Sequence, residues 1–295
     1  MRFSIIVANY NNSAFLPELM ESVLGQTHQD WELVIVDDCS TIDPLPYLEP
    51  YLGDDRVRLI RHVANRGAAQ AFRTAAEAST GDLIGMLGAD DALLPESLAR
   101  MAEAHARHPE ASLVNSLSYL CDESLRILRV FDIFHEVPEG ASLIHGVCVG
   151  NFATFKREAY LKTEGYDPRF QKALDHDIFL KLEEVGSLVF INEPLYLYRS
   201  NPIGISQGAN SSRAAQFGLL ARYHAYLRRR ETNLPNLSME EVAVIRKAWH
   251  IRELFNLRTS GQRKEVFQAA WTALGEFPGI MVERGFLGNI FRTFI

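Results

Sequence analysis

The sequence predicts an α/β fold, a mostly parallel sheet flanked by helices and followed by a helical extension, and three observations carry that prediction. Apolar, β-branched runs recur between amphipathic segments: Phe3-Ser4-Ile5-Ile6-Val7-Ala8, Trp31 to Val36, and Leu83 to Leu87 have the length and composition of strands buried in a parallel sheet. Each run stops at polar residues, namely Asn9-Tyr10-Asn11-Asn12, Asp37-Asp38-Cys39-Ser40-Thr41 and Gly88-Ala89-Asp90-Asp91. Ligands of open α/β sheets bind beyond the carboxyl ends of the strands, so three polar strand ends are expected to share one crevice. From about Ala209 the apolar spacing turns helical and stays so to the end of the sequence.

The chain up to Asp90 reads β-α-β-α-β-α-β. Phe15, Leu16, Leu19, Met20, Val23 and Leu24 recur at helical spacing, with Ser13 expected to cap that helix. Val57, Leu59 and Ile60 suggest a short strand, and Ala68 to Ala78 an alanine-rich helix lying close to the sheet. Right-handed crossovers make these strands parallel. Pro95 suits the first turn of the next helix. Strands follow near Ser112 to Leu120 and Leu125 to Phe131, then a connection rich in small residues around Gly146 to Ala153. A helix after Asp175 and strands near Leu188 to Ile191 and Leu195 to Tyr198 close the domain, expected to span residues 1–207, with a helical extension over 208–295 broken at Pro235-Asn236 and Ser260-Gly261.

With 295 residues, 47% of them hydrophobic, the chain can bury a full α/β core and carry an appendage. Met1-Arg2 runs straight into the first strand, so no cleavable secretory signal is expected, and no stretch approaches the roughly 20 apolar residues of a membrane span. Cys39, Cys121 and Cys148 are odd in number and far apart, which favours reduced thiols. Charge is uneven: residues 1–207 hold 17 Lys/Arg against 30 Asp/Glu, whereas 208–295 hold 13 against 7. The acidic first part argues against nucleic acid as a partner. The basic second part, with Arg228-Arg229-Arg230 and an apolar end, is either a contact with an anionic membrane or an ordinary solvated and packed helical region. The expected location is cytoplasmic, or peripheral on the inner face of the membrane; the oligomeric state is not legible.

Two neighbouring carboxylates repel, and desolvated together they call for a cation, so Asp90 and Asp91 suggest a divalent metal, Mn²⁺ or Mg²⁺, carrying a phosphorylated ligand. The alternative is a polar turn capping the helix behind Pro95. A Gly-rich dinucleotide fingerprint is absent after the first strand, and so is a P-loop, which leaves phosphate neutralisation to the metal and to arginines such as Arg66 and Arg199. Each arginine could equally serve as a structural ion-pair partner.

Taken in order, Ser4-Ile5-Ile6-Val7-Ala8-Asn9-Tyr10-Asn11, Asp37-Asp38-Cys39-Ser40-Thr41, Asn65-Arg66-Gly67, Thr80-Gly81-Asp82 and Ala89-Asp90-Asp91 through Pro95 resemble the nucleotide-sugar domain of family 2 inverting glycosyltransferases. The resemblance continues through Gly165-Tyr166-Asp167, Asp175-His176-Asp177 and Leu195-Tyr196-Leu197-Tyr198-Arg199 to about Ser206. It implies the GT-A fold, a Rossmann-like and mostly parallel sheet flanked by helices. It also implies transfer of a sugar from a nucleoside-diphosphate donor, with uridine diphosphate favoured, to a hydroxyl of a glycan or lipid-linked glycan.

Residue by residue, the resemblance assigns nucleotide binding to Asn9, Tyr10, Asp37, Asp38, Arg66 and Asp90, the metal to Asp91 and Asp90, and the catalytic base to Asp175. Arg199 and Asn151 stand as diphosphate or acceptor contacts. Asp37 and Asp38 could instead cap a turn, Asp175 could cap its helix, and Asp177 reads as a structural first-turn acid. Several positions depart from the family pattern. Gly88 stands where many relatives carry a further acid, Leu174 replaces the Glu before the base, Asn201 lies near the place of a frequent His, and Arg73 replaces a small polar residue. The departures keep open a catalytically weak nucleotide-binding or assembly subunit. A nucleotidyltransferase is disfavoured because no Lys-containing glycine-rich phosphate loop follows the first strand.

Overall fold

The computed structural model describes residues 1–132, 135–138, 140–146, 149, 152–201, 204 and 210–293. Its contacts divide the chain into two units, Met1–Asn201 and Pro202–Ile295. The sequence reading set that boundary after residue 207, in a stretch that is mostly outside the described residues.

The first unit opens with β1 (Phe3–Asn9), a 3₁₀ turn (Ser13–Phe15), α1 (Leu16–Leu24), β2 (Trp31–Asp37), the short α2 (Leu45–Leu48), β3 (Val57–Arg61), α3 (Ala68–Ala78) and β4 (Leu83–Gly88). Next come β5 (Ala92–Leu93), α4 (Ser97–Arg107), β6 (Ala111–Cys121), β7 (Ile127–Phe131), β8 (Ala153–Lys156), α5 (Arg157–Leu161), α6 (Leu174–Glu183) and β9 (Ser187–Arg199). Among the described residues these strands form one nine-stranded sheet in the order β3-β2-β1-β4-β8-β6-β9-β5, with β7 on β6. The β3-β2-β1-β4 portion is parallel. Beyond it β8 runs antiparallel to both β4 and β6. Parallel pairing therefore holds where helices cross over, and the far half of the sheet is mixed.

β1 and β2 are buried at nearly every position because sheet neighbours and helices cover both faces, which is why they read as continuous apolar runs. Phe3, Ile5, Val7, Leu33 and Ile35 pack with Leu16, Leu19, Met20 and Val23 of α1 in one core. Two local expectations change. Ser13 does not cap α1; it lies in the preceding 3₁₀ turn and its hydroxyl donates to the Ile42 carbonyl at 3.3 Å. The two strands expected over 188–198 are one strand, β9, whose pairing with β6 shifts register near Pro194, where the missing N–H breaks the ladder without ending it.

The second unit is helical: α7 (Ser211–Arg229), α8 (Met239–Thr259), α9 (Arg263–Glu276) and α10 (Arg284–Phe291). Ser238 and Glu241 form a reciprocal capping box at the start of α8. Leu254, Val266, Ala270, Ala273, Ile280 and Phe286 make a small core of its own. No described helix is long and apolar enough to cross a membrane.

Candidate active site

Parallel register brings the polar strand ends level: Asn9 lies beside Asp37, and Ala8 beside Gly88. The first two ends are stitched together. Asn9 Nδ2 donates to Asp37 Oδ1 at 2.8 Å, the Ser40 hydroxyl donates to the same oxygen at 2.6 Å, and Asn11 Oδ1 accepts from the Thr41 backbone N–H at 2.8 Å. Asp38 accepts from the backbone N–H of Arg66 at 2.9 Å and of Gly67 at 2.7 Å, and pairs with His62 at 2.6 Å. Gly67, at φ +87°, can begin α3 there because it has no Cβ.

This geometry revises part of the nucleotide set. Asn9, Asp37 and Asp38 are 0%, 1% and 2% exposed, so they shape the edge from inside. Both aspartates have their oxygens taken by internal donors; Asp37 caps the local turn through Ser40, whereas Asp38 is bonded by His62, Arg66 and Gly67. Tyr10, 47% exposed, and Arg66, also exposed, are the members of the set that face outward.

The adjacent acids part ways. Asp91 is 5% exposed; its Oδ2 accepts from the Tyr196 hydroxyl at 2.6 Å and its Oδ1 from the Arg199 backbone N–H at 2.8 Å. Burial, and then the charge of Asp90, push its carboxyl up to about 8, against the lowering influence of those two donors. Asp91, expected as a metal ligand, has both oxygens enclosed and occupied by hydrogen bonds in this structure. The Tyr196 hydroxyl also accepts from the Gly88 N–H at 3.0 Å. A Cβ at Gly88 would run into Asp91 Oδ2, so a side chain there would require Asp91 to shift.

Asp90 is half-buried and accepts from Asn201 Nδ2 at 2.7 Å. Among the described residues no three His, Cys, Asp or Glu side chains converge on a common metal position. A hard cation that keeps waters and takes diphosphate oxygens needs only one or two protein carboxylates, and Asp90 fits that part.

Arg199 is enclosed as well. Its side chain is 1% exposed, its Nε donates to the Asp90 carbonyl at 2.5 Å, and its guanidinium pairs with Glu18 at 2.5 Å and lies 4.6 Å from the Phe15 ring centre. It also reaches the Glu123 carbonyl. It ties β9 to the Asp90-Asp91 turn from within the protein and does not face a diphosphate. Asn151, the other acceptor or diphosphate candidate, lies outside the described residues, as does Cys148.

Asp175 sits in the first turn of α6, half-buried, with no hydrogen bond or ion pair among the described residues. The residue before the helix, Ala173, has φ 51° and makes no side-chain cap. Asp177, two residues on, is buried and paired with Lys181 at 2.6 Å, and Lys181 also donates to the Gly165 carbonyl at 2.9 Å. That buried pair anchors the turn carrying Asp175. The negative field of Asp175 reaches Tyr166, whose phenol is pushed well above its ordinary range, first by burial. The Tyr166 hydroxyl in turn lies 3.4 Å from Met86 Sδ, two residues before Gly88. Asp175 therefore lies within electrostatic reach of Tyr166, which contacts β4 through Met86.

The model of glycosyl transferase family 2 matches residues 4–162. The chain belongs to that family. O-antigen biosynthesis protein RfbC of Myxococcus xanthus is 32% identical over 216 residues, 71% of this chain and 17% of that protein. Chondroitin synthase of Escherichia coli is 32% identical over 198 residues, 65% of this chain and 28% of that protein. This family 2 chain thus spans less than a third of the length of those two relatives. Among solved structures, S. aureus TarS 1–349 in complex with UDP-GlcNAc is similar at a TM-score of 0.68 and 18% identity, over 97% of this chain and 83% of that one. Mannosyltransferase PcManGT from Pyrobaculum calidifontis, in complex with GDP-Man and Mn²⁺, gives 0.60 and 15% over 99% and 85%. The fold is accordingly the GT-A type, a helix-flanked central sheet followed by a helical region.

Tyr196 and His62 have no role in the sequence reading. The alternation in Leu195-Tyr196-Leu197-Tyr198 could have signalled Tyr196, since period two places both tyrosines on one strand face. His62 is the polar residue directly after β3, the kind of position that drew attention to Asp37 and Asp90 at other strand ends.

Proposed function

We propose that this chain is an inverting glycosyltransferase that moves one sugar from a nucleoside diphosphate, with uridine diphosphate as the carrier, to a hydroxyl of a glycan or lipid-linked glycan. The observation that carries the reading is Asp175: a half-buried carboxylate without a hydrogen bond or ion pair among the described residues, held on a helix start anchored by the Asp177–Lys181 pair. In the reaction the acceptor O–H gives its proton to Asp175, its oxygen bonds to the anomeric carbon, and the bond from that carbon to the diphosphate oxygen breaks with its electron pair. Asp90 would hold a divalent cation, which would supply positive charge to the departing diphosphate. Arg66 faces outward to add to it, and Tyr10 offers a ring for the base. The relatives named for O-antigen biosynthesis and chondroitin synthesis, and the neighbour bound to UDP-GlcNAc, support a uridine donor and a glycan acceptor.

Calorimetry with UDP tests the site. Mn²⁺ is expected to strengthen UDP binding by about tenfold or more, the scale of one charge-assisted contact, and Asp90→Ala to remove the gain while Asp91→Asn retains it. Equal affinity with and without Mn²⁺ would refute the metal assignment. Gly88 in place of an acid and Asn201 on Asp90 favour, as the second reading, a catalytically weak nucleotide-binding subunit. Donor turnover that does not rise with any acceptor, in a protein that binds UDP, would select it.

The second unit supports a contact with an anionic bilayer. Trp271 and Val282 are 80% and 82% exposed, and the unit's Lys and Arg outnumber its acids, the charge complement of anionic headgroups. Trp271→Ser with Val282→Ser is expected to weaken sedimentation with phosphatidylglycerol vesicles at low salt and to leave UDP affinity unchanged. Removing residues 279–295 is a poorer test because it also takes away buried Ile280 and Phe286. A parent protein that ignores such vesicles would discard the idea.

A further inference from the structure

A buried ionisable cluster on the nucleotide edge joins three elements: Asp38 after β2, His62 after β3, and Thr74 in α3. The side chains of His62 and Asp38 are 6% and 2% exposed. His62 Nδ1 lies 2.6 Å from Asp38 Oδ1, and its Nε2 lies 3.1 Å from the Thr74 hydroxyl. The neutral ring satisfies both contacts with Nδ1–H donating to the carboxylate and Nε2 accepting from the hydroxyl. The His62 backbone N–H, donating to the Asp37 carbonyl at 2.9 Å, fixes where the ring starts. Asp38 thus meets His62 on one side and the N–H groups of Arg66 and Gly67 on the other. A carboxylate enclosed in this way is stable only while its donors stay in place, so the ring and the loop hold each other through it.

We propose that His62 is a positioning residue for the Asn65-Arg66-Gly67 loop. It holds the Asp38 carboxylate against the loop's backbone, and the loop presents the exposed Arg66 guanidinium to the donor diphosphate already ordered. Binding then avoids the cost of freezing the loop. The inference rests on the nucleotide reading of Arg66 given above.

A double-mutant cycle in UDP calorimetry with Mn²⁺ tests it. Arg66→Ala and His62→Ala are each expected to weaken UDP by about tenfold, and the double variant to be little worse than either, because His62 acts through Arg66. His62→Asn, whose amide can still donate to Asp38, is expected to recover most of the loss. Additive losses, or a His62→Ala protein that binds UDP within twofold of the parent, would overturn the proposal. Should His62→Ala not fold, Thr74→Val takes its place; it loosens the ring without unpairing Asp38, and parent-like UDP affinity in that variant would also overturn it. If Arg66→Ala itself leaves UDP binding unchanged, the nucleotide reading of the loop fails first, and the two failures are told apart.

Discussion

Asp175→Asn is expected to lower sugar transfer by about 10²- to 10⁴-fold, the usual worth of a positioned general base, with UDP affinity and melting temperature close to the parent. Asparagine keeps the size of the side chain and its place in the first turn of α6, but it cannot take the acceptor's proton. The native carboxylate makes no hydrogen bond or ion pair among the described residues, so the fold loses little when its charge goes. The buried Asp177–Lys181 pair that anchors the helix start is untouched. Normal turnover in this variant, measured as UDP release with acceptor, would remove Asp175 from the chemistry. A protein that merely unfolds would return it to a structural role.

Asp91→Asn is expected to flatten the dependence of stability on pH. The Asp91 carboxyl is raised from 3.8 to about 8 in the folded protein, so the native state binds this proton more tightly than the unfolded chain does. Its contribution is therefore full below about pH 4, declines as pH rises, and is gone above about pH 8, a change on the order of several kcal/mol. Asparagine reproduces the protonated form: its amide can donate to the Tyr196 hydroxyl, and its oxygen can accept from the Arg199 N–H. Denaturant melts at pH 5 and pH 8.5, without metal, should show the parent losing more stability than the variant across that interval. Parallel losses would mean that Asp91 is ionised throughout.

β1, β2 and β4 were legible because each is buried along nearly its whole length and so must be apolar, and because residues such as Asp37 and Gly88 mark where each run ends. β8 and the register shift at Pro194 in β9 were not legible. Four-residue β8 is too short to show a period, and a proline read from sequence ends a strand more often than it bends one.

By itself the sequence determined the parallel β3-β2-β1-β4 part of the sheet, the edge at which its polar ends meet, the residue types gathered there and the place of Asp175 at the start of a helix. Those follow from local periodicity and from the rule that parallel strands share one carboxyl edge. Only the tertiary structure decided which of these acids are enclosed. Asp90 and Asp91 read as two like charges that need a cation between them, yet Asp91 is enclosed by Tyr196, the Arg199 backbone and Gly88, and burial with the charge of Asp90 pushes its carboxyl up. Asp37 and Asp38 turn inward for the same kind of reason, since donors distant in sequence, from Asn9 to Gly67, reach them. Desolvation and hydrogen bonding depend on what the folded chain brings alongside, and those neighbours lie up to 111 positions away.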